Sequence, residues 1–155
     1  MNRSLRILLL LLLLLAAVAF TASAKEKGGL RLGLEFGNPN AVIIIRPEPF
    51  DFKIGYNFAE AVNLFLSADY RIISGVQIVD VLHFFLGLGA YVQLHFTPTA
   101  VDFGARIPIG LQAFLIDNVL EIFLEVAPTV GFLPTIVAFP EWQGYVGFTI
   151  LVSKR

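Results

Sequence analysis

The sequence predicts an all-β protein, an eight-stranded antiparallel up-and-down transmembrane β-barrel with a side-chain-filled lumen. The first observation is an alternation. In residues 84–96, Phe84, Leu86, Leu88, Ala90, Val92, Leu94 and Phe96 share one face, and Phe85, Gly87, Gly89, Tyr91, Gln93 and His95 share the other. Successive strand side chains point to opposite faces, so this segment has an apolar side and a smaller, more polar one. The second is composition. The chain is 57% hydrophobic and 15% charged, yet beyond its N-terminal segment it has no run of 18 apolar residues. A chain this apolar without a spanning helix can satisfy every backbone group in lipid only as a closed barrel. The third is an export signal at the N-terminus.

Residues 1–24 read as a secretory signal peptide. Arg3 and Arg6 make a short basic start, residues 7–20 an apolar core, and Ala22-Ser23-Ala24 a small-residue cleavage site. An uncleaved anchor is the alternative reading, but the core is shorter than the ~20 residues a spanning helix requires. The remaining domain, residues 25–155, holds 9 basic and 12 acidic residues once Arg3 and Arg6 are removed, a formal charge of −3. That balance gives no basic footprint for nucleic acid. The absence of Cys excludes disulfide and thiol chemistry.

Eight segments follow. Residues 30–37 set Leu30, Leu32, Leu34 and Phe36 against Arg31, Gly33, Glu35 and Gly37. Residues 41–47 are apolar on both faces and lead into Arg46. Residues 50–58 set Phe50, Phe52, Ile54, Tyr56 and Phe58 against Asp51, Lys53, Gly55 and Asn57. Residues 61–71 set Val62, Leu64, Leu66, Ala68 and Tyr70 against Asn63, Phe65, Ser67, Asp69 and Arg71. The fifth segment is 84–96. Residues 101–115 form the sixth, with Asp102, Gly104, Arg106, Gly110 and Gln112 on the polar side. Residues 120–132 place Glu121, Phe123, Glu125 and Thr129 together, and residues 142–153 place Gln143, Tyr145, Gly147 and Thr149 together. Turn residues separate most of them: Asn38-Pro39, Pro47-Glu48-Pro49, Thr97-Pro98-Thr99 and Asp117-Asn118. Residues 73–82 and 133–141 read as longer links, the former with room for a helical turn. Short links favour antiparallel neighbours.

Alternation alone fits two opposite barrels: a soluble lipocalin-like one with an apolar lumen for a lipid or other apolar ligand, and a membrane barrel with the polar face inside. The contents of the faces favour the second. The apolar face carries no charge in seven of the eight segments, and the polar face is rich in Gly, as a narrow lumen requires. Its charges nearly balance, Arg31, Arg46, Lys53, Arg71 and Arg106 against Glu35, Asp51, Asp69, Asp102, Glu121 and Glu125. Buried charges must pair. A soluble surface carries about 25–35% charged residues and needs no such balance. The expected lumen ion network is Arg31, Glu35, Asp51, Lys53, Asp69, Arg71, His95, Asp102, Arg106, Glu121 and Glu125, centred on Arg106 with Glu125 and Glu35 or Asp69. Matched faces across the 97–99 link would set His95 opposite Asp102 and Tyr91 opposite Arg106.

No catalytic constellation is expected. His95 with Asp102 supplies a base and an orienter but no Ser nucleophile nearby, so a barrel hydrolase is the weakest alternative. Two separated His and no Cys give no metal site, and no cofactor motif is present. Eight strands enclose side chains rather than a water channel, so no open pore is expected. A surface partner would have to use the links at 97–100 and 133–141, although Ile136, Val137, Phe139 and Trp142 fit a lipid interface better.

The signal peptide with eight alternating strands resembles the small outer-membrane β-barrels of OmpA type and OmpX-like proteins. Gly33-Leu34-Glu35-Phe36-Gly37-Asn38-Pro39, Ala68-Asp69-Tyr70, Phe85-Leu86-Gly87-Leu88-Gly89 and Phe123-Leu124-Glu125-Val126-Ala127-Pro128 are similar to a short-looped barrel group of spirochaetes and other diderm bacteria. The resemblance implies a monomer in the outer membrane, surrounded by its lipid, inserted by the barrel-assembly machinery and without enzyme activity. One departure stands out: such barrels finish on an aromatic residue, whereas this chain ends Ser153-Lys154-Arg155 with Phe148 as its last aromatic.

Overall fold

The computed structural model describes residues 29–38, 40–57, 63–96, 99–133 and 137–153. The signal-peptide segment and the link residues Phe58, Ala61, Val62, Thr97 and Pro98 lie outside the described residues. The strands are β1 Leu30–Asn38, β2 Asn40–Pro47, β3 Phe50–Asn57, β4 Asn63–Val79, β5 Leu82–Phe96, β6 Thr99–Arg106, β7 Ile109–Leu115, β8 Leu120–Leu133 and β9 Val137–Ser153. Every pairing is antiparallel.

The strands close into a ring of eight staves. Each pairs with the next in sequence, and β1 returns to β9, with Leu34 opposite Phe148. The strands β6 and β7 are two halves of one stave, since both lie between β5 and β8. The break falls at Ile107-Pro108, because proline has no N–H for the ladder. Its carbonyl still accepts from Gly87 N–H at 2.8 Å, and Ile107 N–H donates to the Pro128 carbonyl at 3.1 Å, so the wall holds across the interruption.

Three expectations are corrected. Residues 73–82 are not a link: β4 continues to Val79, and the turn is only Asp80-Val81. Ile72, Ile73, Val76, Ile78 and Val79 are β-branched and favour strand. The break in alternation at Ser74-Gly75, where Gly75 has φ 74°, is a register irregularity within the ladder. Residues 133–141 are largely strand as well, since β9 begins at Val137. The β5–β6 register is shifted from the expected one: Gln93, not His95, lies opposite Asp102, and Tyr91 lies opposite Gly104. The pairing Phe96↔Thr99 leaves only Thr97-Pro98 between the strands, a tighter connection than the three-residue link assumed.

The two faces sort cleanly. Leu32, Leu34, Ile43, Ile54, Leu88, Ile122, Leu124, Val146 and Ile150 are all exposed on the outer wall. Among the described residues, the exposed charged side chains are Asp80 and Asp117, both in turns, with Glu48 and Asp102 part-exposed at the two rims. Opposite them, the inward positions are buried.

The β7–β8 turn carries local strain. Ile116, Asp117 and Asn118 have φ values of 52°, 51° and 66°. Asp and Asn tolerate the left-handed region, but a β-branched residue does not. Ile116→Asn is therefore expected to stabilise the protein by about 1 kcal/mol, read as a rise in the denaturant midpoint. A midpoint that stays put or falls would show that the turn holds no such strain.

Candidate functional site

Among the described residues, polar and charged side chains concentrate in the interior. Ten charged residues are buried there, five cations (Arg31, Arg46, Lys53, Arg71, Arg106) and five anions (Glu35, Asp51, Asp69, Glu121, Glu125). Each reaches the interior because it occupies an alternate strand position facing away from the apolar wall. Along β8 the inward sequence is Glu121, Phe123, Glu125, Ala127; along β2 it is Val42, Ile44, Arg46. Ionic and apolar layers therefore alternate along the barrel.

The layer nearest the chain ends is built on Arg46. Its guanidinium bonds Asp51 and, through Nη1, Glu121 at 2.5 and 2.6 Å. Arg71 Nε donates to Asp51 Oδ2 at 2.9 Å, and its Nη1 to Gln112 Oε1 at 2.6 Å. Thr149 Oγ1 donates to Glu121 at 2.6 Å. Arg31 anchors the strained turn by donating to the Asn118 carbonyl at 2.6 Å, and it lies 3.6 Å from Glu48 and 3.8 Å from Glu121.

An apolar layer of Ile44, Phe85 and Phe123 follows. Arg71 lies over Phe85 at 4.2 Å and Arg46 over Phe123 at 5.3 Å, so each cation caps an aromatic face. These rings fit because glycines face them. A Cβ on Gly147 would stand 2.6 Å from Phe123 Cζ, and one on Gly110 would collide with Phe85.

The second ionic layer centres on Lys53 and Arg106. Lys53 Nζ donates to Glu125 Oε1 at 2.6 Å and to Glu35 Oε2 at 3.1 Å. Arg106 bonds Glu125, lies 3.4 Å from Asp69 Oδ1, and donates to Ser67 Oγ at 3.2 Å. Beyond it Val42, Phe65, Tyr91 and Tyr145 form the next apolar layer, with Lys53 Nζ 5.3 Å from the Tyr145 ring.

Some pairs join neighbouring staves, as Asp51 does with Arg46 and Arg71 and Glu125 with Arg106, and others run across the barrel. In the register, Arg31 stands directly opposite Arg46, and Asp51 opposite Asp69. Like charges so placed repel. Besides Asp51, which serves Arg46 and Arg71 from the stave between them, partners come from non-adjacent staves: Arg46 on β2 with Glu121 on β8, Arg106 on β6 with Asp69 on β4. Lys53 on β3 reaches Glu125 on β8, four staves away in either direction around the ring.

Of the residues expected in the network, His95 and Asp102 stand apart. His95 Nε2 lies 2.7 Å from Asp102 Oδ2 near the opposite rim, and both side chains are part-exposed. The expected network omitted Arg46, Gln112, Thr149 and Ser67. Arg46 counts among the balancing charges of the polar face, but the Val42-Ile43-Ile44-Ile45 run before it shows no alternation to fix its partners; the neutral partners carry no charge to flag them. Among the described residues no group of three or more His, Cys, Asp or Glu is placed to hold a metal ion. A depression of about 320 Å³ lies on the outer wall, lined by Ile109, Leu111, Leu124, Val126, Pro128 and Trp142.

Fold and interior together define a class: an antiparallel β-barrel-like protein that is apolar outside and ionic within. The chain belongs to the family described as "Protein of unknown function (DUF3996)", whose model matches residues 21–148. No curated protein and no solved structure matches it.

Arg106→Leu leaves Asp69 and Glu125 each short of a cation and is expected to cost about 3–5 kcal/mol. Refolding yield and urea midpoint measure it. Adding Glu125→Leu and Asp69→Asn should recover much of the loss, because the stranded charges are then gone. A single variant as stable as the parent would show that Arg106 holds nothing together.

Proposed function

We propose that this chain is an integral outer-membrane β-barrel protein, exported by a cleavable signal peptide, closed to flow by its own side chains, and structural or surface-interacting rather than catalytic. The observation that carries the reading is the distribution of charge: buried inside, and missing from the exposed outer wall except at two turns. Water rewards the reverse arrangement, whereas lipid demands this one.

Two further features support it. β1, with nine residues, at about 3.3 Å each and a tilt near 40°, spans roughly 23 Å along the axis, close to the ~25 Å band of membrane barrels. Phe36, Tyr56, Phe96, Phe103, Phe132 and Trp142 are exposed around the end remote from the chain termini. Such a belt suits the headgroup level. A lipocalin-like barrel would need an apolar cavity where this chain places ten ionic side chains. Catalysis at His95 lacks a positioned nucleophile. The reading includes the barrel-assembly machinery as a transient partner, outer-membrane lipid as the lasting one, and a monomeric state. A surface partner would use the segments 97–100 and 133–141.

Spin labels at Leu88 and Leu124, 52% and 54% exposed, test the orientation. Both should report detergent or lipid contact, with oxygen relaxing them more than a water-soluble nickel reagent. Labels relaxed mainly by the water-soluble reagent, or recovery of the protein from the periplasm without detergent, would overturn the proposal. Separately, His95→Ala should leave heat-modifiable migration and any lipid-hydrolysing background unchanged; loss of such a background would restore the enzymatic reading.

A further inference from the structure

The unpartnered polar atoms of the interior are segregated by type. In the layer nearest the chain ends they are all nitrogens: Arg31 Nε and Nη1, Arg46 Nη2, Arg71 Nη2 and Gln112 Nε2. In and beyond the second ionic layer they are oxygens, on Glu35, Asp69, Glu125, Gln143 and Tyr145, apart from Arg106 Nε, which lies 3.4 Å from Asp69. A buried donor without an acceptor is costly, and five in one layer need a common explanation.

Three observations favour negative charge in this layer. Arg31 and Arg46 are directly opposite each other on β1 and β2, an arrangement that favours negative charge between them. All three guanidinium groups converge on one carboxylate, with Arg46, Arg71 and Arg31 at 2.5, 3.7 and 3.8 Å from Glu121. The buried layer holds three guanidinium groups against the two carboxylates of Asp51 and Glu121. The third acid, Glu48, has a side chain 39% exposed at the mouth and stands 3.6 Å from Arg31 Nε without a hydrogen bond to it.

We infer that this layer is an anion site, filled from the mouth beside Glu48 by one halide-sized inorganic anion. Guanidinium groups and a primary amide supply only donors toward it. The size follows from packing: Arg31, Arg46 and Arg71 are buried and engaged through their other nitrogens, and Gln112 through its carbonyl oxygen, so only a small ion could stand among them. Glu48 competes for Arg31 from outside. The site does not depend on where the barrel resides.

The test uses the folded full chain in detergent, titrated with sodium bromide against sodium gluconate at constant ionic strength. Thermal unfolding is followed by circular dichroism. Bromide should raise the midpoint by a few degrees and saturate, as a ligand of the native state does; gluconate, too large to enter, should not. Glu48→Gln, at a part-exposed position, should lower the half-saturating bromide concentration several-fold. Gln112→Leu should raise it. Crystals soaked in bromide should show an anomalous peak among Arg31, Arg46 and Arg71. Midpoints identical in the two salts for both parent and Glu48→Gln, or bromide bound only elsewhere, would overturn the inference.

Discussion

Everything in this structure depends on neutralising charge inside a closed ring. Ten ionic side chains occupy a space with no bulk water to screen them, so each must find its opposite there. The wall supplies only part of the partners: Asp51 serves Arg46 and Arg71 on the staves beside it, and Glu125 serves Arg106. Elsewhere neighbouring staves present Arg31 beside Arg46 and Asp51 beside Asp69. The remaining pairs therefore cross the interior, and Lys53 spans it completely. The diameter of the ring and the reach of Arg and Lys side chains are matched quantities: a wider ring would strand the charges, and a narrower one would exclude the rings of Phe85 and Phe123.

The same constraint explains the composition. A polar lining made only of long side chains would overfill an eight-stave ring, so glycines alternate with them. Gly147 and Gly110 make room for Phe123 and Phe85, while Gly104 makes room for Tyr91. The aromatic rings do more than fill volume: their faces sit against Arg71, Arg46 and Lys53. An aliphatic residue of equal size would leave those cations against a surface that offers them nothing.

Period-two alternation made most of the staves readable from residues alone, because one face is uniformly apolar and any slip would turn every side chain over. It failed where alternation lapses. Ile72-Ile73-Ser74-Gly75-Val76 changes face irregularly, so the strand looked like a link; only its ladder with β5 reveals it. Pro108 divides a stave without ending the apolar pattern on either side. The identity of the ionic residues was legible for the same reason as the staves, and Arg106, Glu125 and Asp69 do meet. Their pairing geometry was not, since contacts across a ring depend on stagger, which no local pattern encodes. Arg46 shows this best: it sits at the end of a run apolar on both faces, and its role is set by Glu121, 75 residues away.

The division of charge between the two ends of the chain has its own consequence. Strands β1 to β4 contribute Arg31, Arg46, Lys53 and Arg71 but only Glu35, Asp51 and Asp69, an excess of one cation. Strands β5 to β9 contribute Arg106 against Glu121 and Glu125, an excess of one anion. The bonds joining the halves include Arg46 to Glu121, Lys53 to Glu125 and Arg106 to Asp69. Neither half can complete its own core, and each is the counter-ion of the other. The molecule is thus indivisible as a folding unit: the first four strands and the last five become stable at the same moment, when the seams between them shut.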